Sequence, residues 1–216
     1  FKLAGSTFSY GITGTFSDYT AEYTKCDNPS GLIGGPYVGK KYGEIWGYKV
    51  DGLFRNDEEA AEYASRVDLS KVAAGYYSAT GAYGKGVRGG DIKYLDLNGD
   101  GVVDSYDVKP IGYTNVPEIV YGFGFSLQWK AFDFSAFFQG VGHVSFSTRT
   151  DQTLGFNARN SREANLFSDV YDNYWTPERL DAKYPRLYIG TNNNNNQTST
   201  FWMANGRYMR LKKLEI

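Results

Sequence analysis

Cysteine and histidine are almost missing from this chain of 216 residues: each occurs once, as Cys26 and His143. A single thiol excludes an intramolecular disulfide framework and any multi-cysteine metal site. A single imidazole excludes the two-histidine zinc motifs and leaves little scope for a histidine-based triad. An excess of one charge is missing too. With 23 basic and 24 acidic residues the net charge is −1, which gives no global electrostatic reason to expect nucleic acid or an anionic membrane surface as a partner. No apolar run reaches about 18 residues, so no transmembrane helix is expected; barrels that cross with alternating strands escape that test. What is plentiful is ring and glycine, with 19 Tyr, 14 Phe, 4 Trp and 26 Gly. Such a chain is rich in amphipathic β-formers and poor in the residues that build helical bundles. It opens mid-pattern at Phe1-Lys2-Leu3 and stops mid-pattern at Leu214-Glu215-Ile216, as expected for a piece of something longer.

Period-two alternation is the main structural signal. From Thr7 to Phe16, the side chains of Phe8, Tyr10, Ile12 and Phe16 share one face and Thr7, Ser9, Gly11, Thr13 and Thr15 the other. Between Val120 and Gly140 the pattern is clearer. Tyr121, Phe123, Phe125, Leu127 and Trp129 alternate with Gly122, Gly124, Ser126 and Gln128; after Lys130-Ala131, Phe132, Phe134, Ala136 and Phe138 alternate with Asp133, Ser135 and Gln139. Two long strands with a minimal turn make a hairpin, with Phe137 as the one large residue on the small face. The large face packs on a core in a soluble sandwich and meets lipid in a barrel, and periodicity alone does not separate the two. The last segment, Arg207 to Ile216, reads as a strand with Tyr208, Arg210, Lys212, Leu214 and Ile216 on one face and Met209 and Leu211 opposite. Short strands such as Glu44–Val50, a helix from Asn56 to about Ser65 started by a capping side chain and three carboxylates, and a helix within Ser161–Tyr174 fill the intervening loops. Leu69 to Gly90 reads as loop. The five asparagines from Asn192 to Asn196 read as a solvated polar loop.

One segment carries defined chemistry. In DLNGDGVVDSYD, Asp96 to Asp107, the spacing matches a twelve-residue calcium loop: Asp96, Asn98 and Asp100 at positions 1, 3 and 5, Gly101 at the sharp turn, the Val102 carbonyl at 7, Asp104 at 9 and Asp107 at 12. A hard cation takes about six to eight oxygens, and this spacing can wrap them around one point. The flanks, strand-like before and Lys109-Pro110 after, predict a lone structural clip and not a paired sensor. The competing expectation is an Asx-turn closed without metal.

Other candidates carry less. Glu58-Glu59 and Asp169-Asp172 are explained by a helix start and a solvated helix face, so no catalytic pair is expected. Tyr174, Trp175, Trp202 and Tyr208 could stack on sugars, but an interfacial belt or loop packing is the better reading. The cluster Arg207, Arg210, Lys212 and Lys213 is split between two strand faces and makes no phosphate track.

In order, GEIWGYKVDGLFRNDEEAAEYA, GDIKYLDLNGDGVVDSYD, KPIGYTNVPEIVYGFGFSLQWKAFDFSAFFQG, YWTPERLDAKYPRL and FWMANGRYMRLKKLEI resemble the C-terminal part of SusC/RagA-type TonB-dependent outer-membrane transporters of Bacteroidetes. The resemblance implies an all-β fold: antiparallel strands with long loops, part of a transmembrane barrel of about 22 strands when complete, with short helices in extracellular loops. It implies strands over about 1–24, 117–142 and 201–216, extracellular loops over about 28–112 and 144–205, and a plug domain and last strands outside the chain. It also implies import of large nutrients, glycans or peptides, driven by a TonB complex acting on the plug, with a SusD-like surface lipoprotein as lid, outer-membrane lipid around the wall and no enzymatic activity. Asp96, Asn98, Asp100 and Asp107 match the family's acidic loop, implying a calcium ion that stiffens it. The alternative is a soluble, secreted, calcium-stabilised β-rich module that binds glycans.

Overall fold

A computed structural model describes residues 7–27, 38–73, 86–154, 165–188 and 192–216. Along the chain run β1 (Phe8–Asp18), β2 (Ile45–Gly47), β3 (Val50–Leu53), α1 (Asp57–Arg66), β4 (Ile92–Tyr94), β5 (Lys109–Gly112), β6 (Ile119–Trp129), β7 (Phe132–Gly142), β8 (Ser145–Ser147), α2 (Asp151–Leu154), α3 (Ser168–Asn173), β9 (Met203–Asn205) and β10 (Tyr208–Glu215). The four long strands form one antiparallel sheet in the order β1-β6-β7-β10. No helix among the described residues is long and apolar enough to cross a membrane, which says nothing about strands.

The topology separates two ends. β6 and β7 are joined by Lys130-Ala131 alone, with Lys130 in the left-handed region at φ 55°, as the tight turn requires. At the other end the chain leaves β1 at Asp18 and returns to β6, its direct neighbour, only at Ile119. It leaves β7 at Gly142 and returns to the neighbouring β10 at Tyr208. Two long excursions therefore leave the same end of the sheet, and there they fold together. β2 pairs with β5 and β3 with β4 within the first excursion; β8 pairs with β9 within the second. Tyr48 bridges to Ser199 between them.

The two excursions share a core. Phe54, Ala60, Leu69, Val72, Ile92, Tyr94 and Val103 from the first close around Trp202 from the second, which is 1% exposed. Of the readings open to Trp202, loop packing is the one the structure shows: it is the centre of this lobe, and its indole N–H donates to the Asn195 carbonyl at 2.9 Å. α1 forms where the sequence starts it. Asn56 accepts from the Glu59 N–H at 2.8 Å, and the Glu59 carboxylate reaches back to the Arg55 N–H at 2.8 Å. The strand expected over Glu44–Val50 is instead split into β2 and β3, because Tyr48 and Val50 turn to bond Thr198 and Thr200 across the lobe. The helix expected within 161–174 is shorter: α3 begins at Ser168, residues 165–167 are extended or irregular, and 161–164 lie outside the described residues. Part of the loop expected over Leu69–Gly90 (74–85), the Asn28–Gly31 break and residues 1–6 also lie outside them.

Candidate functional site

The sheet is a wall with two different faces, and the register shows how it is made. Phe8 pairs with Trp129, Tyr10 with Leu127, Ile12 with Phe125 and Phe16 with Tyr121. Trp129 pairs in turn with Phe132, Leu127 with Phe134, Phe125 with Ala136 and Phe123 with Phe138. Directly paired residues share a face, so the large residues of three strands merge into one apolar surface. It is open: Ile12 is 79% exposed, Phe16 71% and Trp129 55%, and Phe123, Phe125 and Leu127 are also exposed. Tyr121 and Phe16 stand toward the loop end, Phe8, Trp129 and Phe132 toward the turn end, with aliphatic and Phe residues between. This is the pattern of the outward face of a membrane barrel, aromatic at both rims.

β10 joins that face through a bulge. Met209 pairs with Gly140 and Leu211 with Phe138; the register then slips, and Lys213 pairs with Phe137 and Leu214 with Ala136. The extra residue, Lys212, moves Leu214 onto the apolar face with Met209 and Leu211 and leaves Arg210, Lys213 and Glu215 on the other. The strict alternation expected for Arg207–Ile216, with Leu214 beside Arg210, is corrected by this one inserted position.

The opposite face is small and polar. Ser9 donates to Gln128 at 3.2 Å, Ser135 to Glu215 at 3.0 Å, and Lys213 pairs with Glu215 at 2.8 Å. The misplaced Phe137 has a seat there. Its ring lies across Gly122 and Gly124, where a Cβ would stand 2.8 Å and 2.9 Å from it. Tyr121 does the same on the apolar face, lying over Gly140. The glycines in these strands are sockets for neighbouring rings.

Above the wall, a buried carboxylate organises the lobe. Asp91 is fully buried and accepts from Arg186 Nε at 2.9 Å, the Arg88 N–H at 2.9 Å, Asn192 Nδ2 at 2.9 Å and Asn195 Nδ2 at 3.0 Å. The Asn194 side-chain amide donates to the Ile92 carbonyl at 2.9 Å, and the Asn194 backbone carbonyl accepts from the Tyr94 hydroxyl, a phenol that burial pushes well above its ordinary range. The asparagine run is thus not solvated: Asn194 is 0% and Asn195 4% exposed. Short amides suit this place because each can both donate and accept, and the Asp91 carboxylate and the open edge of β4 supply partners to Asn192, Asn194 and Asn195. Nearby, Lys93 lies between Asp51 at 2.7 Å and Glu59 at 3.1 Å, and the bond to Asp51 holds its ammonium above its usual range. The Arg55 N–H, then Lys93, hold the Glu59 carboxyl below its own.

The 96–107 loop turns as its sequence predicts. Gly99 and Gly101 take φ of 76° and 83°, and Asp96 accepts from both N–H groups at 2.7 and 2.8 Å. Asn98 and Asp100 bond each other side chain to side chain at 2.8 Å, and Asp104 accepts from Tyr106 at 2.8 Å. Asp107 is 0% exposed and turned inward, where one oxygen takes the Leu97 and Asn98 N–H groups at 2.7 and 3.3 Å and the other the Asp104 N–H at 2.9 Å. Among the described residues, no three acidic, histidine or cysteine side chains converge as a metal cluster. The donors are all oxygen and keep lone pairs beyond these amide bonds, so their chemistry fits a hard cation. Val103 is buried and its N–H bonds Asp68, so the loop is riveted to the lobe.

The remaining candidates have structural roles. Glu59 caps α1, and Asp169 binds Lys183 and Tyr184. His143, at φ 48°, stacks on Tyr113 at 4.5 Å and faces the buried Glu118 at 3.3 Å, which also pairs with Lys41 at 3.7 Å. That cluster ties both excursions to the top of the wall. No residue pattern would have disclosed it, since its members come from separate segments.

An open antiparallel wall with an apolar outer face, a polar inner face, one minimal turn and long packed loops defines part of a membrane β-barrel. No family model matches the chain. Among curated proteins it is 30% identical over 128 residues to TonB-dependent receptor P26 of Formosa agariphila, a match covering 59% of this chain and 12% of that receptor. It is 22% identical to TonB-dependent receptor P39 of the same organism, over 99% of this chain and 22% of the receptor. Its fold is similar to a chain in the structure of the RagAB peptide transporter, with a TM-score of 0.53 and 15% identity over 99% of this chain and 21% of that one. This chain is thus similar in sequence to TonB-dependent receptors and in fold to a chain of the RagAB transporter, and it spans about a fifth or less of the length of the curated relatives it matches.

Proposed function

We propose that the chain is a wall segment, with its surface loops, of an outer-membrane transporter that imports large nutrients. One observation carries this: the apolar face continuous across four strands, open to its surroundings and rimmed by aromatic residues. A soluble module would have to cover that face. In the transporter it meets lipid, the polar face lines the interior, and the lobe built from the two excursions stands outside the cell. The cargo is a glycan or a peptide, the energy comes from a TonB complex acting on a plug, and a SusD-like surface lipoprotein closes over the loops. The wall itself has no catalytic task.

The experiment uses the full-length receptor in its native membrane. An antibody to this segment is expected to mark a large outer-membrane band whose gel migration shifts on boiling, and deletion of the TonB energiser is expected to abolish uptake in those cells. A soluble band of about the chain's own mass, 24.2 kDa, unmoved by heat, would overturn the reading.

We further propose that the 96–107 loop takes one structural calcium ion, with Asp96, Asn98 and Asp100, the Val102 carbonyl, Asp104 and Asp107 as the donor set. Because Asp107 is already held by backbone amides, calcium tightens a turn that forms without it. Calcium at 1 mM against a chelator is expected to slow proteolysis of this loop about tenfold in the intact receptor, as occupancy well above Kd stabilises by mass action. Asp100→Ala is expected to remove that difference. Equal proteolysis of the unaltered protein under both conditions would refute the site.

A further inference from the structure

Near the loop end, the apolar face is not flat. β7 carries large residues outward through Phe138; the next outward position, Gly140, lies under the Tyr121 ring, and the one after it is Gly142. Beside Gly142 the face has a groove of about 660 Å³, lined by Phe16, Ile119 and Tyr121 on one side and Met209 on the other, with Val141 and Tyr208 also against it. Arg207 and His143 stand where the groove meets the top of the strands. Arg207 is exposed, and no carboxylate of the described residues pairs with it. Of the acidic groups nearby, Glu118 is engaged by Lys41 and His143, and Asp18 stands beyond Ile119, two strands from Gly142.

We propose that this groove is a seat for one phosphate-bearing lipid of the leaflet at the loop end, its acyl chain between Tyr121 and Met209 and its phosphate on Arg207. The inference rests on the reading of the sheet as a barrel wall. Two features favour this occupant. The groove is continuous with the lipid-facing surface, and its one uncompensated charge is a cation at the depth of the headgroups. A guanidinium presents a fork of donors that matches phosphate oxygens, which a point charge does not.

The test uses the full-length receptor purified in detergent and titrated with dioleoyl phosphatidic acid under native mass spectrometry, with diacylglycerol and inorganic phosphate as comparators. One phosphatidic acid is expected to be retained in preference to diacylglycerol. Arg207→Ala is expected to weaken it about fivefold, the effect of one surface cation on an anionic lipid. Gly142→Leu is expected to abolish it by filling the groove. A Cβ there meets Ile119 no closer than 3.5 Å, so the strand accepts the change. Equal retention by all three proteins, or competition by inorganic phosphate alone, would overturn the lipid seat. A variant that keeps its heat-dependent gel shift but loses the lipid separates the groove from the barrel. A parent protein that shows no such shift fails the barrel reading instead.

Discussion

Asp91→Ala in the full-length receptor is expected to open the loop lobe while leaving the strands below it intact. The Asp91 carboxylate is fully buried, and it is shared by the Arg186 guanidinium, one backbone N–H and two asparagine amides. Removing one partner from a buried ion pair costs about 3–5 kcal/mol, far more than the intact pair is worth relative to an apolar replacement. The same change removes the anchor of the asparagine run, and with it the cover over Trp202 and Tyr94. Hydrogen exchange in Asn192–Asn196 and β4 is therefore expected to speed up by about two to three orders of magnitude, since exchange follows the free energy of local opening. Exchange in β6 and β7 is expected to stay as it was, because their ladder closes without Asp91. Asp91→Asn keeps the shape and one acceptor oxygen, so it should fall between the two. Unchanged exchange at Asn194 in the alanine variant would show that the lobe does not depend on this carboxylate.

Phe125→Arg is expected to destabilise the barrel by about 2–4 kcal/mol, the cost of a cation at mid-depth on a lipid-facing strand. Thr13→Arg, at similar depth on the opposite face, is expected to change stability by no more than about 0.5 kcal/mol, as exposed substitutions do. The two sites differ in surroundings only because the register assigns Phe125 to the face of Ile12 and Ala136, and Thr13 to that of Gly124 and Phe137. Reversible unfolding in detergent or liposomes, followed by the heat-dependent gel shift, measures both. Equal losses would mean that the apolar face meets protein and not lipid.

Much of this was written locally. Alternation gave β1 and the hairpin with the correct faces, Lys130-Ala131 gave the turn, and Asn56 with its following carboxylates gave α1. These depend on neighbours within a few residues: backbone pleat, turn strain and a capping side chain act over that range. The glycines of the 96–107 loop belong to the same group, because a left-handed turn is a property of the residue itself.

Tertiary structure decided the rest. A run of asparagines is polar low complexity until a buried carboxylate and a strand edge some hundred residues away give Asn192, Asn194 and Asn195 their partners. Lys212 looks like any strand residue until its neighbour's register makes it a bulge and reverses the face of Leu214. Trp202 is open between belt, sugar platform and loop packing on sequence pattern, and the centre of a core once two excursions from one end of the sheet meet. The sequence alone therefore determined the wall, since a strand's two faces are set by alternation along one segment. The lobe above it, and the groove beside Gly142, depended on which distant segments arrive next to one another, and burial and pairing across that distance leave no periodic trace in the chain.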